Sequence, residues 1–420
     1  MRASAAVLLA CVALVQGGCG GSEPEPFRIG ILSDCYGPFS SAHELIVASA
    51  ELPLIGRGGR LAGRTPSDGV AGASAAGRPV ELLVGCVTGT EDVIPEARRL
   101  VEEEHADVLV GPLYPEHGLV LRDYARRRPE TAFLIQPSGA PELTLRDPAR
   151  NVFRFTADNA QSAAGLGSYA YHELGWRTAA TVADDTPYGW GNVAGFVAEF
   201  CALGGRVVDR RWVPPGTEAA GVAARIPDSA DGVYMGAAVS PMRGFVRQYS
   251  DRHENASRRL LANAALLPEL VADVPGIVAA GPVPFQPTRA QQAHVAAFAK
   301  AFPRIPAAAA LNQLALPFND GVEAAVEALE RTNGETGARL VDALAKLELD
   351  SPAGRVRLDA NRQAVGPNYL SRVAADARGK PVIRTLEVVR DVEQTFGGYF
   401  GPDSPPPSRT DPTCTRSPSR

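Results

Sequence analysis

The sequence predicts an α/β protein made of two consecutive lobes, and three observations carry this prediction. Short apolar segments alternate with longer amphipathic ones, which is typical of the strands and helices of a parallel sheet. The alternation restarts near Asn159, so a second unit of the same kind follows the first. The body of the chain, residues 27–400, is long enough for two domains.

The first unit is predicted from four apolar runs and the helices between them. The strands are expected at 27–33, 80–85, 106–111 and 131–136. The helices are expected at 45–54, 91–104 and 119–128. Repeating β-α units of this length give a parallel sheet covered by helices.

The second unit repeats the pattern and then turns mostly helical. Strands are expected at 178–183, 206–213, 231–237, 259–264 and 276–280, and helices at 160–174, 192–203 and 241–253. The C-terminal part predicts helices at 288–302, 308–331 and 335–347, and strands at 356–359, 369–374 and 382–389. Residues 402–420 are rich in Pro, Ser, Thr and Arg and predict an irregular tail.

The N-terminus predicts export. A charged start, a short apolar run at 5–15 and two glycines before Cys19 describe a secretory leader, and the run is too short to span a bilayer. A Cys in this place resembles a bacterial lipoprotein cleavage site, which implies a signal peptide at 1–19, lipidation of Cys19 and a flexible tether at 20–26. Gln16 stands where that pattern usually has Leu, so plain secretion with an incidental Cys is the alternative.

Composition excludes several classes of protein. The net charge of −5 gives no indication of nucleic-acid binding. The six histidines are scattered without a metal-ligand spacing, and no P-loop or G-x-S-x-G elbow is present, so we expect no metal, cofactor or catalytic residue. The cysteines outside the leader are even in number, which in an exported protein suggests disulfides with three possible pairings: Cys35, Cys86, Cys201 and Cys414.

Five segments, in this order, carry a family likeness: SDCYGPFS (33–40), VLVGPL (108–113), QPSGAPELT (136–144), FRFT (153–156) and DDTPYG (184–189). Together they resemble the type 1 periplasmic binding proteins of the leucine/isoleucine/valine-binding kind, the solute receptors of ABC importers. The likeness covers residues 27 to about 390. It implies two Rossmann-like lobes joined by three hinge crossovers, the periplasmic binding protein-like I fold.

The resemblance also implies boundaries and a place for the site. Lobe 1 is expected at 27–156 plus 284–362, lobe 2 at 157–283 plus 363–398, and a tail at 399–420. The solute is expected in the cleft between the lobes, which close over it by hinge motion. Physics agrees, because open parallel sheets bind ligands beyond the carboxyl ends of their strands.

Lobe 1 is expected to contribute three loops to the site. Free N–H groups at a helix start near Pro115 could hold an acceptor. Glu116 in the same loop either repels a carboxylate and favours a cationic or amide-bearing solute, or only stabilises the helix N-terminus. The candidate solute contacts from these loops are Tyr36, Phe39, Ser40, Tyr114, Pro115, Glu116, Gln136, Ser138, Gly139 and Ala140.

Lobe 2 is expected to cover the solute with an aromatic side chain. Tyr188 occupies the place where the family has such a residue, and Trp190 follows it. Asn263 lies where amino-acid-binding relatives have an acidic residue for the ammonium group, so an ordinary amino acid is a less secure ligand. Asn319 and Asp320 interrupt an apolar helix and either reach the hinge or solvate an exposed face.

The resemblance reduces the number of possible disulfide pairings and indicates a function. Cys35 and Cys86 follow strands that are neighbours in this fold, so we expect them to pair. Cys201 is expected to pair with Cys414, because it lies on a lobe 2 helix and the resemblance implies that the tail returns to lobe 2; a buried Cys201 and a free tail thiol are the alternative. The expected function is capture of a small polar solute, an amino acid or amide-like compound, for ABC permease subunits in the membrane. A sensory receptor of the same fold is the alternative, and an exported hydrolase is less favoured.

Overall fold

The computed structural model describes residues 24–37, 39–238, 240–286 and 288–414. The predicted signal peptide, Cys19 and most of the tether lie outside these residues. The strands of the first sheet are β1 (Phe27–Ser33), β4 (Ser74–Ala75), β5 (Arg78–Cys86), β6 (Val108–Val110), β7 (Ala132–Leu134) and β8 (Val152–Phe153), and a separate two-stranded ribbon holds β2 (Arg60–Leu61) and β3 (Val70–Ala71).

The first sheet is parallel around β1, with strand order β4-β5-β1-β6-β7-β8 and only β4 antiparallel. Its apolar strands are buried on both faces by two groups of helices. One face is covered by α1 (His43–Gly56), α10 (Leu316–Arg331) and α11 (Ala338–Leu344), and the other by α2 (Thr90–Arg98) and α3 (Pro115–Ala125). The short α4 (Glu142–Leu145) follows β7, and α9 (Arg289–Ala301) packs outside α1.

The second sheet has nine strands and mixes parallel with antiparallel pairs. Its strands are β9 (Thr178–Asp184), β10 (Arg206–Val213), β11 (Gly232–Gly236), β12 (Leu260–Asn263), β13 (Val278–Gly281), β14 (Leu349–Ser351), β15 (Gly354–Leu358), β16 (Ala364–Ala375) and β17 (Pro381–Val392). The parallel part, β10-β9-β11-β12-β13, is covered on one face by α5 (Leu166–His172) and α6 (Pro187–Ala202) and on the other by α7 (Arg243–Ser250) and α8 (Leu267–Leu270).

The predicted α/β fold with parallel sheets is confirmed, and the differences concern single elements. The helix expected at 160–174 begins only at Leu166, after the left-handed Gly165 at φ 91°. The helix expected at 308–331 begins at Leu316, because Asn312 accepts backbone hydrogen bonds from Leu314 and Ala315 and interrupts it. The strand expected at 369–374 is twice as long, since it pairs with β17 along its length.

The chain passes between the two sheets three times, and the passages lie side by side. Arg154 pairs with Gln363 in a parallel bridge, and the Arg154 N–H donates to the Arg362 carbonyl at 3.1 Å. The passage after β13 starts at Pro282. The Gln161 amide ties two of these segments together by donating to the carbonyls of Ala364 and Val392, both at 2.9 Å.

Both predicted disulfides are present. Cys35 pairs with Cys86, with Cα atoms 5.3 Å apart, because β1 and β5 are adjacent and Ser33 stands opposite Cys86. Cys201 on α6 pairs with Cys414 across 213 residues, and so fixes the tail to the second lobe. No helix in the described part of the chain is long and apolar enough to cross a membrane.

Candidate functional site

The carboxyl edge of the first sheet carries two acidic side chains close together. Asp34 directly follows β1, and Glu116 lies in the first turn of α3, which follows the neighbouring strand β6. Asp34 is 2% exposed, and burial together with the charge of Glu116 raises its pKa to about 7. Two carboxyl groups therefore share one end of the sheet.

Aromatic rings stand beside these acids. The rings of Phe39 and Tyr114 are 5.4 Å apart, and Tyr114 also contacts the His117 ring at 5.0 Å. Burial and then the charges of Asp34 and Glu116 raise the Tyr114 pKa to about 12, which places the phenol next to both acids. Tyr36 is 67% exposed at the same edge. The wall is therefore acidic and aromatic at once.

Two other predicted contacts in lobe 1 have local roles. Pro115 occupies the start of α3, as its fixed φ favours. The Ser40 hydroxyl donates to the Gly37 carbonyl at 2.8 Å and closes the turn before α1. Neither observation tests contact with a solute.

The loop after β7 is more deeply engaged with the protein than the sequence indicated. Gln136 donates to the Pro317 carbonyl at 2.5 Å and accepts from the Phe155 N–H at 2.8 Å, so both ends of its amide bind main chain. The Ser138 side chain is fully buried, and its hydroxyl is 3.4 Å from the Pro115 carbonyl. Solute contact through these two side chains stays a prediction, and it would require the loop to rearrange.

Gly139 is required by a close neighbour. A Cβ on Gly139 would come within 2.0 Å of the Asn159 side chain, and a Cβ on Gly191 of α6 within 2.7 Å of the same residue. Asn159 therefore fits between the Gly139–Ala140 loop of the first lobe and a helix of the second. Its Nδ2 is buried and has no partner among the described residues.

In the second lobe, Tyr188 is held by a polar network at the start of α6. Asn263 donates to the Tyr188 hydroxyl at 3.2 Å and to the Ala237 carbonyl at 2.9 Å, and its own oxygen accepts from Leu266 N–H. Burial first, and then the charge of Asp184, raise the pKa of Tyr188 far above its usual range. Asn263 thus orients the ring predicted to cover the solute.

Trp190 belongs to a different set of contacts. Its indole N–H donates to Asp185 at 3.2 Å, and the same carboxylate binds the Arg409 guanidinium of the tail through both oxygens. Trp212 donates to the Arg409 carbonyl at 3.2 Å. The indole of Trp190 therefore engages the docked tail, while its role as a solute contact stays a prediction.

The hinge contains a small cavity of about 40 Å³, lined by parts of all three crossovers. Asp320 of α10 lines this cavity and is 5% exposed. Of the two alternatives that the sequence left open for Asp320, it reaches the hinge and does not solvate an exposed face. Ser351 donates to Asp320 at 2.7 Å, and burial raises the pKa of Asp320 to about 7. Asp320 therefore belongs to the hinge interior.

Sequence reasoning missed two residues of this region. Asp34 was part of a family motif but was not proposed as a contact, although an acid directly after a buried strand is a usable signal. Asn159 gave no signal, because its importance depends on the approach of Gly139 and Gly191. The described residues contain no group of three or more His, Cys, Asp or Glu side chains that could hold a metal ion.

Comparison with known proteins supplies a family and several solved relatives. A family model described as periplasmic binding protein matches residues 26–379. No curated protein matches. An ABC transporter substrate-binding protein from Sphaerobacter thermophilus has a similar structure, with 26% identity, a TM-score of 0.77, and coverage of 88% of this chain and 99% of that one.

Two further solved structures show the same fold with different solutes in their names. A solute-binding protein of an ABC transporter from Rhodopseudomonas palustris, in complex with 3,4-dihydroxybenzoic acid, is 20% identical with a TM-score of 0.72, and the match covers 88% of this chain and 98% of that one. A leucine-binding protein from Thermotoga maritima is 17% identical with a TM-score of 0.69, with coverage of 87% and 99%.

Proposed function

Since the chain belongs to the periplasmic binding protein family, we propose that it is the extracytoplasmic solute-binding component of an ABC importer. It would capture one small polar solute between its lobes and present it to permease subunits in the membrane. The similar chain from Sphaerobacter thermophilus, named an ABC transporter substrate-binding protein, supports this assignment over most of both lengths.

The observation that carries the proposal is that the carboxyl edge of each sheet carries polar and aromatic side chains. Asp34, Tyr114 and Glu116 lie at the carboxyl edge of the first sheet. Tyr188 and Asn263 lie at the carboxyl edge of the second sheet. Three crossovers connect the lobes, so a solute between these edges would favour closure only by its higher affinity for the closed form. The chain therefore binds and releases rather than transforms its solute in this proposal.

The solute can be identified without assuming its class. Freshly purified protein is denatured, and the small molecules released from it are measured by mass spectrometry. The refolded, oxidised protein is then titrated with the identified compound by calorimetry. Binding of one molecule per chain is expected, and failure to recover or bind any small molecule would contradict the proposal.

Replacing Tyr188 by alanine is expected to weaken solute binding by about 1–3 kcal/mol, because the ring packs on the solute in the proposed closed state. Tyr188→Phe keeps the ring and loses only the hydroxyl that accepts from Asn263, so its affinity for the solute should fall much less. Tyr171→Ala removes a second-lobe tyrosine that instead contacts Arg177, and serves as the control. Unchanged affinity in Tyr188→Ala would exclude this ring from the site.

We further propose that Cys19 carries a lipid that anchors the protein on the outer side of the cytoplasmic membrane. The motif before Cys19 and the Gly-, Ser- and Pro-containing tether after it support this. Cys19→Ser is expected to move the protein from the membrane fraction to the soluble exported fraction. Retention of the variant in washed membranes would rule out the anchor.

A further inference from the structure

Asp34 is buried at the proposed site, and no described residue forms a hydrogen bond or an ion pair with its carboxyl group. Its side chain is 2% exposed. The charged group acting on it is another acid, Glu116. Burying a carboxylate costs free energy unless a donor or a positive charge accompanies it. A role in stabilising the N-terminus of α3 would account for the position of Glu116, but it does not account for the burial of Asp34.

One basic residue directly follows the carboxyl end of a strand, Arg154 after β8, and it is fully buried, donates to the carbonyls of Ser138 and Ala140 and has Asp158 as its counter-charge. The other loops at the carboxyl edges of the two parallel sheets contain no counter-charge. Lys and Arg are absent from all of these segments: 34–42, 87–89, 111–114, 135–141, 185–186, 237–242, 264–266 and 282–288. Arg409 reaches the loop after β9 from the tail, but Asp185 engages it there through two oxygens. A positive charge at this site would therefore have to arrive with the solute.

We propose that the solute is an organic cation, an amine with an apolar or aromatic body, whose ammonium group lies between Asp34 and Glu116 and whose body lies against Phe39 and Tyr114. This inference rests on the proposed solute-binding function and names the class of solute. Two carboxylates attract a cation where they would repel each other. Aromatic faces add a cation–π attraction at close range.

The inference separates this chain from relatives of the same fold. A benzoate-type anion, like the dihydroxybenzoic acid in the Rhodopseudomonas palustris complex, would meet two carboxylates and no Lys or Arg from these loops. A zwitterionic amino acid whose carboxylate took the N–H groups at the start of α3 would add a third negative charge beside Glu116. Neither arrangement removes the repulsion between Asp34 and Glu116.

The test uses the full mature protein with both disulfides intact, stripped of solute by unfolding and refolding. Benzylamine and choline are the cationic probes, benzoate is the anion and leucine is the zwitterion. Calorimetry is expected to show binding of at least one cationic probe, with at least tenfold weaker binding of benzoate and leucine. Asp34→Asn and Glu116→Gln should each weaken binding of the cationic probe at least tenfold. Asp123→Asn, an exposed acid on the same helix as Glu116, should leave it unchanged.

A second readout is the pH dependence of binding. The pKa of Asp34 is about 7, with Glu116 and Tyr114 as its titratable neighbours, so the cation should bind more tightly as the pH rises from 6 to 8. Asp34→Asn should reduce this dependence. A variant that is merely damaged would lose affinity and keep the slope.

The outcomes distinguish the two proposals. One outcome is tight binding of benzoate or leucine that Tyr188→Ala weakens and Asp34→Asn does not change. This result would overturn the inference of a cationic solute but would support the solute-binding function. If none of the probes binds and mass spectrometry of the native protein finds no bound solute, the binding function itself fails. Cation binding that is equal in wild type, Asp34→Asn and Glu116→Gln would place the cation elsewhere and overturn the inference.

Discussion

Replacing Arg154 by methionine is expected to lower the free energy of unfolding by about 3–5 kcal/mol, as when one member of a buried charged network is removed. The guanidinium is fully buried and donates to the carbonyls of Ser138 and Ala140 at 2.9 and 2.7 Å. It also donates to Gln363 at 2.5 Å and to Thr144 at 3.0 Å. One side chain thus joins a site loop, α4 and a hinge crossover.

The charge of Arg154 is as important as its hydrogen bonds. Burial lowers the pKa of Arg154 to about 10, which still leaves it positive at neutral pH. Asp158, also fully buried, lies 3.7 Å from the guanidinium, and burial raises its pKa. Without Arg154, Asp158 would keep its hydrogen bonds from Gln161 and Gln394 but lose its counter-charge.

Urea unfolding followed by circular dichroism measures this effect. Arg150→Met is the control, because its ion pair with Asp342 is largely exposed and such pairs contribute about 0–1 kcal/mol. If Arg154→Met does not fold, Arg154→Lys keeps the charge but not the planar fork, and an intermediate loss is expected. Equal stability of the Arg154 and Arg150 variants would show that the network does not hold the hinge.

Replacing Glu51 by glutamine is expected to stabilise the protein above pH 8. Glu51 lies on α1 with no exposed surface, and neither carboxyl oxygen has a hydrogen-bond partner in the described residues. Burial first, and then the charges of Glu44 and Asp68, raise its pKa from 4.5 to about 8. The folded protein therefore favours the protonated form, which glutamine resembles in shape and charge.

The sign of the pH effect follows from that shift. Because the folded pKa is above the unfolded one, the stability associated with the Glu51 proton is complete below pH 4.5 and is lost as the pH rises to 8. At 1.36 kcal/mol per unit, the loss reaches about 5 kcal/mol as an upper figure. Asp34 and Asp320, with pKa values of about 7, add slopes of the same sign.

Melting temperatures between pH 4.5 and 9 test this prediction. The wild-type melting temperature should fall across this range. The melting temperature of Glu51→Gln should fall less and should be higher than that of the wild type at pH 9. Glu254→Gln, an exposed acid in the second lobe, should follow the wild type. A variant with the full wild-type slope would mean that Glu51 is solvated or paired in solution.

Local sequence patterns were sufficient for the fold class, whereas the disulfide pairing also required the family resemblance. Apolar runs such as Phe27–Ser33 report burial on both faces of a strand, and this depends only on residue type and spacing. The position of Cys35 and Cys86 after neighbouring strands made their pairing predictable once the sheet order was known from the resemblance. Short strands such as β2 and β14 escaped prediction, because two or three residues carry no periodicity.

The site was predictable only in part, for a physical reason. Sequence placed Tyr114, Glu116 and Tyr188 at strand ends, because carboxyl edges follow from the strand pattern alone. Whether a polar side chain is free for a solute depends on neighbours that come from distant parts of the chain. Gln136 is engaged by Pro317, and Asn263 by Tyr188, across 181 and 75 residues. Local residue types determined the sheets and their edges, and long-range packing alone decided which side chains at those edges, Asp34 among them, have no hydrogen-bond partner among the described residues.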